Sequence, residues 1–253
     1  VKPSMNLSLK PLLVAVSPDT VVPSAAHESD DPRLKLCGQD FIPHSEGALY
    51  WEAQRTLLVA DLHLEKGAAF ARRGSMLPPY DTRMTLWRLR KVIDYFEPAR
   101  VVALGDSFHT SEVAAFLPEE ERETIAELQD GREWYWVTGN HDPEIPSALG
   151  GTVCESLAIG GITCRHEPTR SGQEIAGHLH PVARITARGE AIRRKCFATD
   201  GDKMVMPAFG SYAGGLSIFS DAFAGLLSRD RLAAWLLGRD AVYPIFGAAL
   251  FRG

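Results

Sequence analysis

Three short apolar runs constrain this chain most: TLLVA (56–60), VVAL (101–104) and WYWV (134–137). A brief, unalternating apolar run bounded by polar residues is the pattern of a strand buried on both faces. Each run also ends in the same way. The first stops at Asp61-Leu62-His63, the second at Gly105-Asp106 and the third, after Thr138, at Gly139-Asn140-His141-Asp142. In open α/β sheets, sites form where loops converge beyond the carboxyl ends of the strands.

The segments between the runs support a parallel arrangement. Residues 81–98, DTRMTLWRLRKVIDYFEP, place Met84, Trp87, Val92, Ile93 and Phe96 near helical spacing. Asp81 is the expected N-cap and Pro98 the stop. Residues 111–129 are charged and helix-prone, with Pro118 expected to split them in two. Strand, helix, strand, helix, strand predicts a parallel sheet with covering helices. The second half reads differently. LAIGGITC (157–164) suggests two strands around a Gly-Gly turn, and AIRRKCF (191–197), DGD (200–202) and MVM (204–206) form a hairpin pattern. That half is expected to be β-rich, with antiparallel or mixed pairing.

Composition narrows the class. The 253 residues are 45% hydrophobic and 23% charged, an ordinary globular balance. A net charge of −5 gives no global basic footprint for nucleic acid, so such a substrate needs a local basic patch or metal charge. Cys37, Cys154, Cys164 and Cys196 lack CxxC spacing, which points to a reduced, cytoplasmic protein. No run approaches the roughly 20 apolar residues of a membrane span. Residues 1–33 are rich in Pro, Ser and Asp and read as a flexible N-terminal extension. Residues 34–253 then read as one domain.

Most of the histidines gather near the strand ends. His63 and His141 follow the first and third runs, His166 follows ITC (162–164), and His178 and His180 lie in EIAGHLHP (174–181). Each has an ordinary reading when taken alone. Asp61 suits a helix N-cap, Asp106 a turn, GNHD a loop, and His166 a hydrogen-bonded loop histidine. Together, five such segments point to a metal site.

In its order D-x-H, G-D, G-N-H-D, H and G-H-x-H, the chain resembles the calcineurin-like metallophosphoesterase superfamily over about residues 56–181. ADLHLEKGAAFARRG (60–74), LPPYDT (77–82), LGDSFH (104–109), RHEP (165–168), EIAGHLHPVAR (174–184) and PAFGSYAGGL (207–216) are more specifically similar to the bacterial DNA-ligase-associated phosphodiesterases of the PdeM type. One departure stands out: many superfamily members place Gly-His after the position of His166, whereas this chain has Glu167-Pro168.

The resemblance implies a four-layer α-β-β-α sandwich of two mixed sheets and a dinuclear metal site. Asp61, His63 and His180 would hold one divalent ion, Asn140, His166 and His178 the other, and Asp106 would bridge them. Imidazole and oxygen ligands suit Mn, Fe, Zn or Co and do not choose among them; Mn is the ion expected. A metal-bridging hydroxide would attack phosphorus, with charge neutralised by the two ions, and His141 would protonate the leaving group. His109, Lys66, Arg72 and Arg73 are candidate substrate contacts, beside the plainer readings of a loop histidine and solvated helix charges. The basic stretch RGEAIRRK (188–195) reads as a solvated hairpin face or a track for a nucleic-acid backbone.

The expected function is hydrolysis of phosphodiester bonds in a nucleic acid, DNA or RNA, or in a nucleotide ester. The implied setting is bacterial DNA repair beside an ATP-dependent DNA ligase, a helicase and an exonuclease-like protein. A phosphomonoesterase or protein phosphatase is the alternative within the enzymes, and a non-catalytic interaction module on the same fold is the alternative outside them.

Overall fold

The computed structural model describes residues 13–15, 32–67, 70, 80–187 and 190–250. Two mixed sheets face each other. The first contains β2 (Leu34–Leu36), β3 (Gln39–Pro43), β4 (Leu49–Trp51), β5 (Thr56–Val59), β6 (Arg100–Leu104), β7 (Glu133–Val137) and β8 (Thr152–Cys154), in that spatial order. β2 to β5 form an antiparallel meander, and β5 to β8 pair in parallel. The three apolar runs are thus β5, β6 and β7, as their texture predicts. The meander lacks the unbroken apolar texture of the three runs: LKL and QDFIP interleave charged residues, and LYW is only three residues long.

The second sheet contains β1 (Leu13–Ala15), β9 (Ser156–Ile159), β10 (Ile162–Arg165), β11 (Glu174–Ala176), β12 (Pro181–Ala187), β13 (Glu190–Thr199), β14 (Lys203–Val205), β15 (Leu216–Ser217), β16 (Ala233–Leu237) and β17 (Val242–Phe246). Its main path runs β1-β9-β10-β11-β14-β13-β12-β15, with β16 on β13 and β17 on β16. The Gly-Gly turn joins β9 and β10 and the DGD turn joins β13 and β14, both antiparallel as expected. β1 lies within the stretch read as an extension and pairs in parallel with β9.

Three apolar clusters glue the layers. α1 (Asp81–Phe96) and α3 (Glu119–Gln129) cover one face of the first sheet through Leu86, Leu89, Val92, Ile93, Ile125 and Leu128. Between the sheets, Leu58, Val102 and Leu104 meet Ile162, Ile175, Phe197 and Met204. Outside the second sheet, Cys196, Ala198 and Ala234 are covered by Phe223, Leu227 and Leu250, which lie on or beside short 3-10 turns. The whole is an α/β sandwich of two mixed sheets flanked by helical segments.

α1 differs from its sequence reading in two ways. Its buried stripe is Leu86, Leu89, Val92, Ile93 and Phe96, while Met84 and Trp87 are exposed. Asp81 is the first helical residue rather than the N-cap, and its carboxylate accepts the Gly67 N–H at 2.9 Å. Pro118 does split the following helix, into α2 (Ser111–Ala115) and α3.

Candidate metal centre

Register places the site. Val59 pairs with Ala103, Ala103 with Trp136, and Leu104 with Val137, so three strands end at one level. The chains stay joined beyond the strands, with Asp61 N–H donating to Gly105 O at 3.2 Å and His63 N–H to Asp106 O at 2.9 Å. From the second sheet, Gly177 N–H donates to His166 O at 2.9 Å, which brings the ends of β10 and β11 together.

The backbone there is unusual. Asp61, His63, Asp106, His178 and His180 have φ of 54, 45, 46, 67 and 45°. They are five of the nine non-glycine residues with positive φ among the described residues. Asp, Asn and His tolerate this left-handed region better than most residues, yet each case costs on the order of 1 kcal/mol and must be held by its surroundings. The D-x-H and H-x-H segments share a design. A buried leucine, Leu62 or Leu179, sits in the core between two left-handed residues that face the cleft.

Two clusters result, Asp61/His63/His180 and Asp106/His166/His178. In the first, His180 Nε2 lies 3.1 Å from Asp61 Oδ1 and 3.3 Å from His63 Nε2. In the second, His166 Nε2 lies 3.3 Å from Asp106 Oδ2, 3.2 Å from His178 Nδ1 and 3.0 Å from Asn140 Oδ1. Two imidazole nitrogens each about 2.1 Å from a common ion, at a near-tetrahedral angle, stand roughly 3.4 Å apart. The donor set therefore fits one divalent cation per cluster.

Tautomers and charge agree with that fit. His166 Nδ1–H donates to Leu104 O at 2.9 Å, which turns Nε2 toward the cluster, where a proton or a metal ion can sit. Burial opposes a charged His166, yet the hydrogen bond to Asp106 and the nearby Asp61 raise its pKa to about 9. Asp106 shows the converse: burial would raise it, but His166 and the His141 N–H bring it down to about 2. The pocket thus stabilises positive charge at this point. Burial, then His180, hold His63 down at about 3, so its ring is neutral. Burial, then His166, also lower His178.

Other expected site residues fall into three groups. His141 is exposed, its N–H donates to Asp106 Oδ1 at 2.9 Å, and its ring lies 5.5 Å from that of His63. His109 stacks on His141 at 5.6 Å, and its carbonyl accepts His141 Nδ1–H at 3.2 Å. Lys66 is partly buried, and its charge acts on His63. Arg72 and Arg73 lie outside the described residues. Glu167, where the superfamily often has glycine, lines a cavity of about 450 Å³ with Asn140, Arg165 and His166.

Asp142 was missed as a contributor. It is fully buried and accepts four backbone N–H groups, from Asp106 (3.0 Å), Ser107 (2.7 Å), Phe108 (3.1 Å) and Gly139 (2.9 Å). It ties the G-D loop to the G-N-H-D loop. Its place at the end of a polar loop read equally as a turn residue, so only the fold reveals the role. The motif glycines follow from close approach. A Cβ on Gly139 would lie 2.2 Å from Asp106 Oδ1, and one on Gly177 2.7 Å from Asp61 Oδ2.

No family model matches the chain, and no curated protein does. Among solved structures, the chain is similar to Pseudomonas putida nuclease MPE, at 28% identity and a TM-score of 0.65, over 85% of this chain and 99% of that one. A phosphoesterase from E. coli, Yfce, aligns at 12% identity and a TM-score of 0.39 over 77% of this chain and 98% of that one, a likeness that carries no argument. The paired sheets, the two His/Asp clusters at their rim and the likeness to the Pseudomonas nuclease agree: this chain has the calcineurin-like metallophosphoesterase fold, is homologous to that nuclease, and carries a hydrolase site of the metallophosphoesterase type.

Proposed function

We propose that the protein is a dinuclear-metal phosphodiesterase that cleaves nucleic-acid phosphodiester bonds. The observation that carries this is the pair of facing His/Asp clusters with His141 beside them. The structural relative is a nuclease, which favours a nucleic-acid substrate here. When bound, two ions supply charge for the phosphoryl oxygens and bring the pKa of a coordinated water toward neutrality. Asp61, His63 and His180 would hold one, Asn140, His166 and His178 the other, with Asp106 between them. Mn is the ion we infer, with Fe, Zn or Co as alternatives, since a mixed imidazole and oxygen set accepts all four without choosing among them.

His141 acts as the general acid. With Nδ1–H committed to the His109 carbonyl, the imidazolium form of the ring carries its second proton on Nε2, and that proton is the one available to a departing alkoxide. His109 orients that ring, and Lys66 adds positive charge on the same side. Arg72 and Arg73, which follow Lys66 in the sequence, are further candidate substrate contacts in this reading. The four unpaired cysteines suit a reducing cytoplasm. Work beside an ATP-dependent DNA ligase, a helicase and an exonuclease-like protein follows from the sub-family resemblance. No helix among the described residues is long and apolar enough to cross a membrane.

The test compares bis- and mono-nitrophenyl phosphate, then single- and double-stranded DNA and RNA, using Mn-loaded protein with His141→Ala as the contamination control. Preference for diesters and cleavage of a polynucleotide are expected. Clear preference for the monoester would favour a phosphomonoesterase, and full metal content without any turnover would favour an interaction module.

A further inference from the structure

The segment 207–216 and the basic stretch ending at Lys195 have no part in the chemistry above, yet they meet directly behind it. After β14, the chain runs along the end of β5. Phe209 N–H donates to Ala60 O at 2.8 Å and Gly210 N–H to Asp61 O at 3.0 Å. Approach is so close that a Cβ on Gly210 would lie 2.4 Å from Leu62 O. This segment is therefore the wall against which the left-handed Asp61-Leu62-His63 turn rests.

Two cations hold that wall from behind. Lys195 Nζ, from β13, donates to Ala208 O at 2.8 Å and Gly210 O at 3.1 Å. Arg88, from α1, donates through Nη2 to Phe209 O at 2.5 Å, and its guanidinium lies 4.9 Å over the Phe209 ring. Its other arm pairs with Glu46 at 3.2 Å. Three consecutive carbonyls, 208 to 210, thus face two positive side chains from different elements. Lys195 does not share the solvated basic face that its RRK context suggests: Arg193 and Arg194 are exposed, whereas Lys195 is half-buried with its Nζ on the 208 and 210 carbonyls. Burial, then Arg88, depress its pKa to about 8. Placing a cation there is costly, so a compensating role is expected.

We propose that Lys195 and Arg88 are positioning residues that clasp segment 208–210 onto the Asp61-Leu62-His63 turn and so set the affinity of the Asp61/His63/His180 cluster for a divalent cation. The proposal rests on the two-metal reading above. The turn has a backbone that relaxes without support, and relaxation swings Asp61 and His63 apart. The Asp106/His166/His178 cluster is held chiefly by Asp142 and Leu104; it meets the turn where the His178 N–H donates to the Asp61 carboxylate at 3.1 Å, so it feels the clasp less than the first cluster does.

The experiment is calorimetric titration of metal-stripped full-length protein with MnCl2, comparing wild type, Lys195→Met, Lys195→Arg and Arg88→Lys. Wild type should bind two ions. Lys195→Met and Arg88→Lys should weaken one site by about tenfold or more, in the range for groups that orient ligands, and weaken the other distinctly less. Lys195→Arg should recover most of the loss. If Lys195→Met does not fold, Arg88→Lys carries the test, because it keeps the charge but loses the forked reach to both Phe209 O and Glu46. Two unchanged sites in the variants, or equal weakening of both, would overturn the clasp alone. A wild type that binds no Mn would overturn the two-metal reading and the clasp with it.

Discussion

At the scale of residues, the two histidines of His178-Leu179-His180 belong to different clusters, and the spacing of one explains how. Left-handed backbone at both, with Leu179 in the core between them, turns both rings to the cleft. Asp61-Leu62-His63 repeats the device but delivers both of its polar side chains to one cluster. His141 is different, since it touches the site only through its N–H and the edge of its ring. We expect His141→Ala to retain full metal content by elemental analysis while kcat falls about 100- to 10,000-fold, the usual contribution of a general acid. Asp142 is the structural counterpart. Asp142→Ala strands four backbone N–H groups, each costing about 1–3 kcal/mol when buried without a partner. Loss of at least about 3 kcal/mol in urea unfolding is expected, and a loss under 1 kcal/mol would show that the four bonds are not held in solution.

At the scale of elements, what could be read from sequence was whatever local pattern controls. The unbroken apolar runs gave β5, β6 and β7, and Pro118 gave the break between α2 and α3. What could not be read depends on partners distant in the chain. The face of α1 is chosen by the sheet beneath it, so Leu86 and Leu89 are buried while Trp87 is not. The β2–β4 strands break their apolar pattern with Lys35, Gln39 and Asp40 or are only three residues long, so no unbroken run marks them. The polar residues of the site were legible because their motif order is distinctive, whereas Asp142, Lys195 and Arg88 act through backbone carbonyls and amides that no motif records. The glycine of G-N-H-D makes the dependence testable. Gly139→Ala must displace Asp106 or its loop, and we expect the variant to lose at least one of two bound Mn ions by elemental analysis. Retention of both ions would mean that the two loops do not approach as closely as 2.2 Å implies.

At the scale of the whole molecule, the chain is acidic, with a net charge of −5, so it gains little affinity for a polyanion from global charge. Substrate attraction then falls to the metal centre and to Lys66 near it, and polynucleotide binding should weaken sharply when metal is stripped. The shared core also sets a pH limit. Burial raises the thiol of Cys154 to about 11, that of Cys164 to about 12, and that of Cys196 further still. An unfolded thiol ionises near 8.5. Above that pH the unfolded chain binds fewer protons than the folded one, so stability contributed by these thiols is present below about pH 8.5 and is lost as pH rises toward their folded values. Unfolding free energy under reducing conditions should therefore fall between about pH 8.5 and 10. Cys164→Ala should flatten that slope, and an unchanged slope would mean that Cys164 is not buried as described.

The most direct measurement of the central claim is turnover of bis-nitrophenyl phosphate by metal-stripped protein as Mn is added back in known equivalents. The account predicts that activity rises with the second ion and saturates at two equivalents per chain. Saturation at one equivalent, or no diester hydrolysis by a chain shown to hold two ions, would contradict it.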